Sequence, residues 1–257
     1  MSDWRALDEE LARWADLGHV ATLWWRDDDA IDATPALDRL LALRARYDIG
    51  LGLAVIPERA SGALAARLAE DTGTVALQHG YAHQNHAAGG GKKMELGPHR
   101  PAMLVLGELG TGWMALERLF GARALPVMVP PWNRIAPALV PTLPEIGLRG
   151  LSTYGPRLRV EPVRGLRQVN THLDPVDWHG GRGFVGEAAA LASLTRSLAI
   201  RRQSGVESVV GGEPTGLLTH HLVQDEVVWG FVDRLIGRLR AHSGVRILTP
   251  REVFGLS

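Results

Sequence analysis

Short runs of apolar, β-branched and aromatic residues alternate along this chain with longer stretches in which apolar positions recur every three or four residues. Leu7 to Leu17 has the second pattern and predicts a short amphipathic opening helix. His19 to Arg26 (HVATLWWR) has the first and predicts a buried strand. Thr34-Pro35 offers a hydroxyl cap and a first-turn proline for a helix running to about Tyr47. Gly50 to Ile56 predicts a strand ended by Pro57, Ala60 to Glu70 a helix, and Thr74 to Gln78 a strand that delivers His79. A polar, glycine-rich stretch from Ala82 to Arg100 interrupts the rhythm, and its glycines around Gly89 permit hinging without requiring it. Beyond it the pattern predicts helices over Pro101 to Phe120, Gly186 to Arg202 and Glu226 to Ala241. Strands are predicted at Leu125 to Val129, Leu148 to Thr153, Leu166 to Asn170, Gly216 to Thr219 and Val245 to Leu248. Strand and helix in alternation argue for a mostly parallel sheet, closed or nearly closed into a distorted (β/α) barrel. No linker or repeat divides the chain, so one domain is expected over residues 1–257.

Composition narrows this picture. Lys plus Arg and Asp plus Glu both number 28, so no global charge draws the chain to nucleic acid or to an anionic membrane. Zero cysteines exclude disulfides and thiolate metal sites, leaving imidazoles and carboxylates as ligands. Residues 1–17 carry charge where a signal peptide needs an apolar core, and no apolar run reaches the ~18 residues of a membrane span. The expected location is cytoplasmic, and the expected partner a small molecule or a glycan.

Three separated strings carry the candidate chemistry: Trp25-Arg26-Asp27-Asp28-Asp29, His79-Gly80-Tyr81-Ala82-His83 and Leu218-Thr219-His220-His221. Each follows a predicted strand, and the carboxyl ends of parallel barrel strands form the catalytic rim of such folds. Two histidines four apart on a helical turn present both rings to one side. With Asp28 as third ligand they leave positions for water and substrate, as catalytic rather than structural sites do. Plainer readings exist for each string. Adjacent aspartates after a strand commonly cap a helix, although Thr34 already offers that cap here. His221 should point away from His220 if the strand continues, which suits a structural role. His86 and His99 are expected to face solvent, His172 and His179 to be loop residues, and Lys92-Lys93 to be a solvated loop charge. Trp132 and Trp178 suit stacking on a sugar ring and packing of the barrel mouth equally well.

Five ordered motifs, spanning Trp25 to His221, resemble those of the polysaccharide deacetylases with the NodB-homology domain (carbohydrate esterase family four and its relatives). The family's TFDDG falls on Trp25 to Asp29, its His-Ser/Thr-x-x-His on His79 to His83, and its Arg-x-Pro-x-Gly on Val129-Pro130-Pro131-Trp132-Asn133. Its Asp-x-x-Asp-Trp falls on Asp174 to Trp178 and its Leu-x-His on Leu218 to His220. The resemblance implies a distorted barrel of the NodB type, its motif-bearing core covering about 19–250. It also implies one divalent metal held by Asp28, His79 and His83, with zinc first and cobalt, nickel or manganese as alternatives. Asp27 is the implied general base, His220 the acid that protonates the leaving amine, and Asp177 the carboxylate that orients and charges it. Pro131, Trp132 and Asn133 would border an oxyanion pocket, with Trp178 beside the substrate.

Two positions depart from the family pattern. Val129 stands where an arginine usually pairs with the base, and Arg134 or Arg26 is the available substitute, although Arg26 should point opposite to Asp27. Asp29 stands where glycine is usual and adds a third carboxylate beside the metal. Without a cationic partner, Asp27 is expected to hold its proton more tightly. The implied activity is metal-dependent removal of an acyl group, above all acetyl, from an amide nitrogen of a sugar or related small molecule. The alternative is a carbohydrate- or metabolite-binding relative that keeps the barrel without turnover. A barrel of the amidohydrolase type is disfavoured, because the His-x-His usual after its first strand is absent.

Overall fold

The computed structural model describes residues 3–178 and 180–256; His179 therefore lies outside the described residues. The chain runs α1 (Asp3–Asp16), β1 (Ala21–Ala30), α2 (Pro35–Tyr47), β2 (Leu51–Val55), α3 (Gly62–Ala69), β3 (Thr74–His79), α4 (Ala102–Phe120) and β4 (Ala124–Val129). It continues with β5 (Gly150–Leu151), β6 (Arg167–Gln168), α5 (Glu187–Ser204), β7 (Thr215–Thr219), α6 (Glu226–Ala241), β8 (Val245–Ile247) and α7 (Pro250–Phe254). All the pairings between these strands are parallel, in the order β6-β5-β4-β3-β2-β1-β7, while β8 pairs with the start of β1. Past β6, single bridges join Thr171 to Tyr154 on one side and Leu173 to Leu217 of β7 on the other. The sheet thus curls until its two edges meet through one short segment, which makes the barrel distorted.

Alternation along β1 sorts its side chains between two cores. Trp24 packs with Leu77, Val127, Val129, Val169 and Phe254, a cluster inside the curled sheet. Trp25 belongs to the larger cluster between the sheet and the helices, with Trp14 of α1, Leu40 of α2 and Phe231 of α6. A third cluster packs α4 on the 3-10 stretch Pro137–Ile146 through Val105, Leu109, Leu139 and Leu143. At the amino ends of the strands, Phe254 of α7 meets Trp24 edge-on at 5.6 Å and plugs the interior. Both indoles of β1 also find acceptors, Trp24 on the Asn170 carbonyl and Trp25 on the Thr219 hydroxyl, so the polar tip of neither is stranded.

The cap predicted at Thr34 is present, and two other helices open on the same chemistry. Thr34 accepts from the Leu37 amide ahead of Pro35, Asp225 accepts from the Val228 amide to open α6, and Thr249 with Glu252 forms a capping box for α7. None of the described helices is long and apolar enough to cross a membrane. The expected elements are present, with three differences that matter. β1 extends through all three aspartates to Ala30. The expected strands at 148–153 and 166–170 contract to two residues each. The chain from 137 to 146 coils as a 3-10 stretch interrupted by Pro141 and Pro144.

Candidate active site

The end of β1 decides the geometry. Its register with β2 slips between Asp27 and Ala30, so that one residue more lies on β1 than on its partner. Asp29 accordingly takes a left-handed backbone, φ 75°. Such a bulge interrupts alternation and re-aims one side chain. The three carboxylates therefore point to three different partners.

Asp28 stays on the inward face with Arg26. The guanidinium grips it with two parallel bonds, Nε to Oδ1 at 2.8 Å and Nη2 to Oδ2 at 2.9 Å. Arg26 is wholly buried, and its remaining hydrogens go to the Ser152 hydroxyl at 2.7 Å and the Asn133 side-chain oxygen at 2.7 Å. This fork is the strong form of an ion pair, and through it Arg26 pairs with one of the three β1 aspartates. Arg134 does not; it donates to the Lys93 carbonyl instead.

Asp27 faces outward, fully buried. One oxygen accepts from the Thr219 hydroxyl (2.6 Å) and the His221 amide (3.0 Å), and the other lies 2.5 Å from His221 Nδ1. Asp27 is thus not the carboxylate that lacks a cation, and its oxygens are turned to β7 rather than to the imidazole pair. Burial pushes the His221 imidazolium to lose its proton, but the charge and hydrogen bond of Asp27 outweigh it, so His221 holds its proton more tightly than a free histidine.

Asp29, not Asp28, meets the two histidines. His79 Nε2 lies 3.1 Å and His83 Nε2 3.3 Å from the same Asp29 oxygen. Ligand atoms of these three residues all fall within 4.8 Å of one another. His79 Nδ1 sits 2.9 Å from the Val129 carbonyl, which can only accept, so Nδ1 carries a proton and it is Nε2 that faces Asp29. Lone pairs converging at these distances repel unless a proton or a cation lies among them. Zinc bonds of about 2.1 Å arranged tetrahedrally separate their ligand atoms by about 3.4 Å, close to the spacing seen here. The donor set fits a small divalent cation. Burial alone would raise the Asp29 pKa, yet the hydrogen bond and charge of His79, with the charges of His220 and His83, hold it well below the usual carboxylate range. The pKa of His83 is lowered as well, pushed down by burial and by the charge of His79.

The turn carrying the histidines is built from beneath by Glu95, a buried carboxylate that the sequence reading passed over. It accepts from the Tyr81 amide at 3.3 Å and the Ala82 amide at 2.8 Å. Gly80 leaves room for it: at φ 60°, a β-carbon there would sit 2.0 Å from Glu95 Oε2 and 2.6 Å from Pro131 Cγ. His83 is itself left-handed, φ 56°, as are Trp132 at φ 55° and Asn133 at φ 56° after Pro131. With Asp29, these make four of the six described non-glycine residues at positive φ. Strain of this kind persists only where surrounding contacts enforce it, and it gathers at functional sites. The Trp132 ring lies 4.4 Å from the His83 ring. The stretch 84–100 is tied down at its base, where the His86 amide donates to the Met94 carbonyl and Asn85 accepts from the Met94 amide.

On the opposite side stands His220. Its Nδ1 is 3.9 Å from Asp174 Oδ2, and its ring meets Trp178 edge-on at 4.6 Å. Trp178 in turn donates from its indole nitrogen to Asp174 at 2.7 Å. The carboxylate beside His220 is therefore Asp174, the first of the motif rather than the second; Asp177 accepts from the Gly180 amide in the following turn. The reason is positional. Asp174 directly follows the bridge of Leu173 to β7, while Asp177 lies three residues further along the loop. Burial raises the Asp174 pKa, only partly offset by His220.

No family model and no curated protein matches the chain. Solved structures do. A Mycobacterium smegmatis protein assigned as a polysaccharide deacetylase is 15% identical and superposes with a TM-score of 0.64, over 93% of this chain and 90% of that one. The Bc1960 peptidoglycan N-acetylglucosamine deacetylase is 16% identical at TM-score 0.57, over 95% and 96%. A family 4 acetyl xylan esterase from Clostridium thermocellum, in complex with cobalt, is 15% identical at 0.53, over 92% and 93%. At such identities the likeness concerns the fold, and the chain has the NodB-type barrel of these proteins.

Proposed function

We propose that this protein is a zinc-dependent deacetylase that cleaves the carbon–nitrogen bond of an acetylated amine on a sugar or related small molecule. The observation that carries this reading is the convergence of His79 and His83 on one oxygen of Asp29. Neighbours of the same fold, among them a cobalt-bound esterase and a peptidoglycan deacetylase, support it.

In this reading Asp29, His79 and His83 hold the cation. A divalent ion held there would supply Lewis-acid activation of the acyl carbonyl and of water. Asp28, fixed by the Arg26 fork, accepts the proton of the attacking water. The backbone N–H of Trp132, on its left-handed turn after Pro131, stabilises the charge developing on the carbonyl oxygen. His220 gives a proton to the leaving nitrogen, with Asp174 3.9 Å from its Nδ1. Acetate and a free amine leave. Trp132 beside one pole and Trp178, 41% exposed, beside the other offer aromatic faces suited to a sugar ring. The alternative of a binding-only relative draws on the arginine missing at Val129; in the proposed reading Arg26 stands beside the base in its place.

The direct test is acetate release from an N-acetylglucosamine tetramer by the zinc-loaded protein and by Asp28→Asn. We expect turnover in the first and a loss of about a hundredfold or more in kcat in the second, with KM little changed. Unchanged turnover in Asp28→Asn would exclude Asp28 as the base.

A further inference from the structure

The carboxylate of Asp27 is wholly buried, has no place in the cation or base sites, and holds the two residues on either side of His220. Oδ2 accepts from the Thr219 hydroxyl at 2.6 Å and the His221 amide at 3.0 Å, while Oδ1 meets His221 Nδ1 at 2.5 Å. The Thr219 hydroxyl is oriented from its other side by the Trp25 indole at 2.9 Å. His220 itself donates its amide to Gln224 Oε1 at 3.0 Å, its carbonyl accepts from the Val223 and Gln224 amides, and its ring lies against Trp178. On the side facing β1, the strand exit bearing His220 is tied through its two neighbours to a residue that adjoins Asp28 in the chain.

We infer that Asp27 and His221 form a positioning clamp that sets His220 at a fixed distance from the Asp28–Asp29 pole. The clamp touches neither substrate nor cation; it acts through Thr219 and the His221 backbone. A buried ion pair is seldom the most stable way to fill such a space, since well-packed apolar residues do as well or better. Three directed bonds to one carboxylate instead fix where the backbone goes. Misplacement of a reacting group by about 1 Å costs about a hundredfold in rate. A proton donor on a loop needs such a fixture, and Asp27 adds side-chain bonds to the backbone pairing of β1 with β7. The inference rests on the deacetylase reading for its kinetic arm only.

The test uses the full chain carrying Asp27→Leu with His221→Phe, which removes both charges together, and separately Asp27→Asn, which keeps the side-chain shape. Zinc affinity, hydrogen exchange of the 218–225 backbone, and kcat and KM on the N-acetylglucosamine tetramer are measured for each. For the clamp, zinc affinity and KM stay within about threefold, while exchange over 218–225 quickens and kcat falls by about thirtyfold or more. A folded double variant with wild-type exchange and wild-type kcat overturns the clamp. So does zinc affinity that falls in step with kcat, which would put Asp27 in the cation site. If the double variant does not fold, Asp27→Asn is judged by the same outcomes. If the wild type releases no acetate, the proposed activity fails while the exchange measurement still decides the clamp.

Discussion

Three consecutive aspartates end β1, and each is balanced by a different cation. Asp27 has His221, Asp28 has Arg26, and Asp29 has two imidazoles whose nitrogens suit a metal. The Arg26–Asp28 pair is almost entirely removed from solvent. Arg26→Leu leaves a buried carboxylate without its partner and should destabilise the protein by about 3–5 kcal/mol, read from the denaturant midpoint. Asp174 offers a test in pH. Its folded pKa is raised, so the protein gains from its protonated form below the ordinary carboxylate pKa and loses that gain as pH rises through the folded value. Asp174→Asn should therefore raise the melting temperature at neutral pH, with the advantage fading toward acid; a lower melting temperature at pH 7 would reverse the assignment. At this scale the sequence was legible in residue type and spacing but not in which aspartate did what. Aligning the family motif on Trp25 to Asp29 implies Asp28 as ligand and Asp27 as base; in the proposed function the bulge at Asp29 shifts both roles one place along the chain. The motif's arginine was similarly hidden, because Arg26 shares a face with Asp28 and becomes the partner of the proposed base only once that shift is made.

Among the elements, the turn from His79 to His83 is the most constrained. Gly80→Ala would force a methyl group against Glu95 and Pro131 at a left-handed position. The variant should bind zinc about tenfold or more weakly by calorimetry, since moving this turn by less than 1 Å disturbs two ligands together. Retained affinity would mean that the turn yields without moving the imidazoles. The long helices α2 and α6 were readable because caps and apolar periodicity agree at both. β5 and β6 were not, being strands of two residues held by neighbours and a few bridges rather than by their own pattern. The 3-10 stretch 137–146 owes its form to prolines that remove donors inside an otherwise apolar run.

For the whole molecule, the barrel separates stability from chemistry along its axis. The amino ends of the strands are closed by α7, with Phe254 buried against Trp24. Phe254→Ala should cost about 3–5 kcal/mol in unfolding free energy, yet leave zinc affinity unchanged, because the cation residues sit at the opposite rim. That rim gathers residues from β1, the turn after β3, the segment after β4 and the exit of β7, which no local pattern brings together. The ordering of motifs along the chain anticipated their assembly; the bulge and the left-handed backbones that aim them emerge only in three dimensions. The central claim is that Asp29 and not Asp28 completes a divalent cation site with His79 and His83. Cobalt titration followed by visible absorption tests it most directly, on the wild type, Asp28→Asn and Asp29→Ala. The account predicts one tightly bound equivalent in the wild type and in Asp28→Asn and none in Asp29→Ala. Binding kept by Asp29→Ala and lost by Asp28→Asn would contradict it.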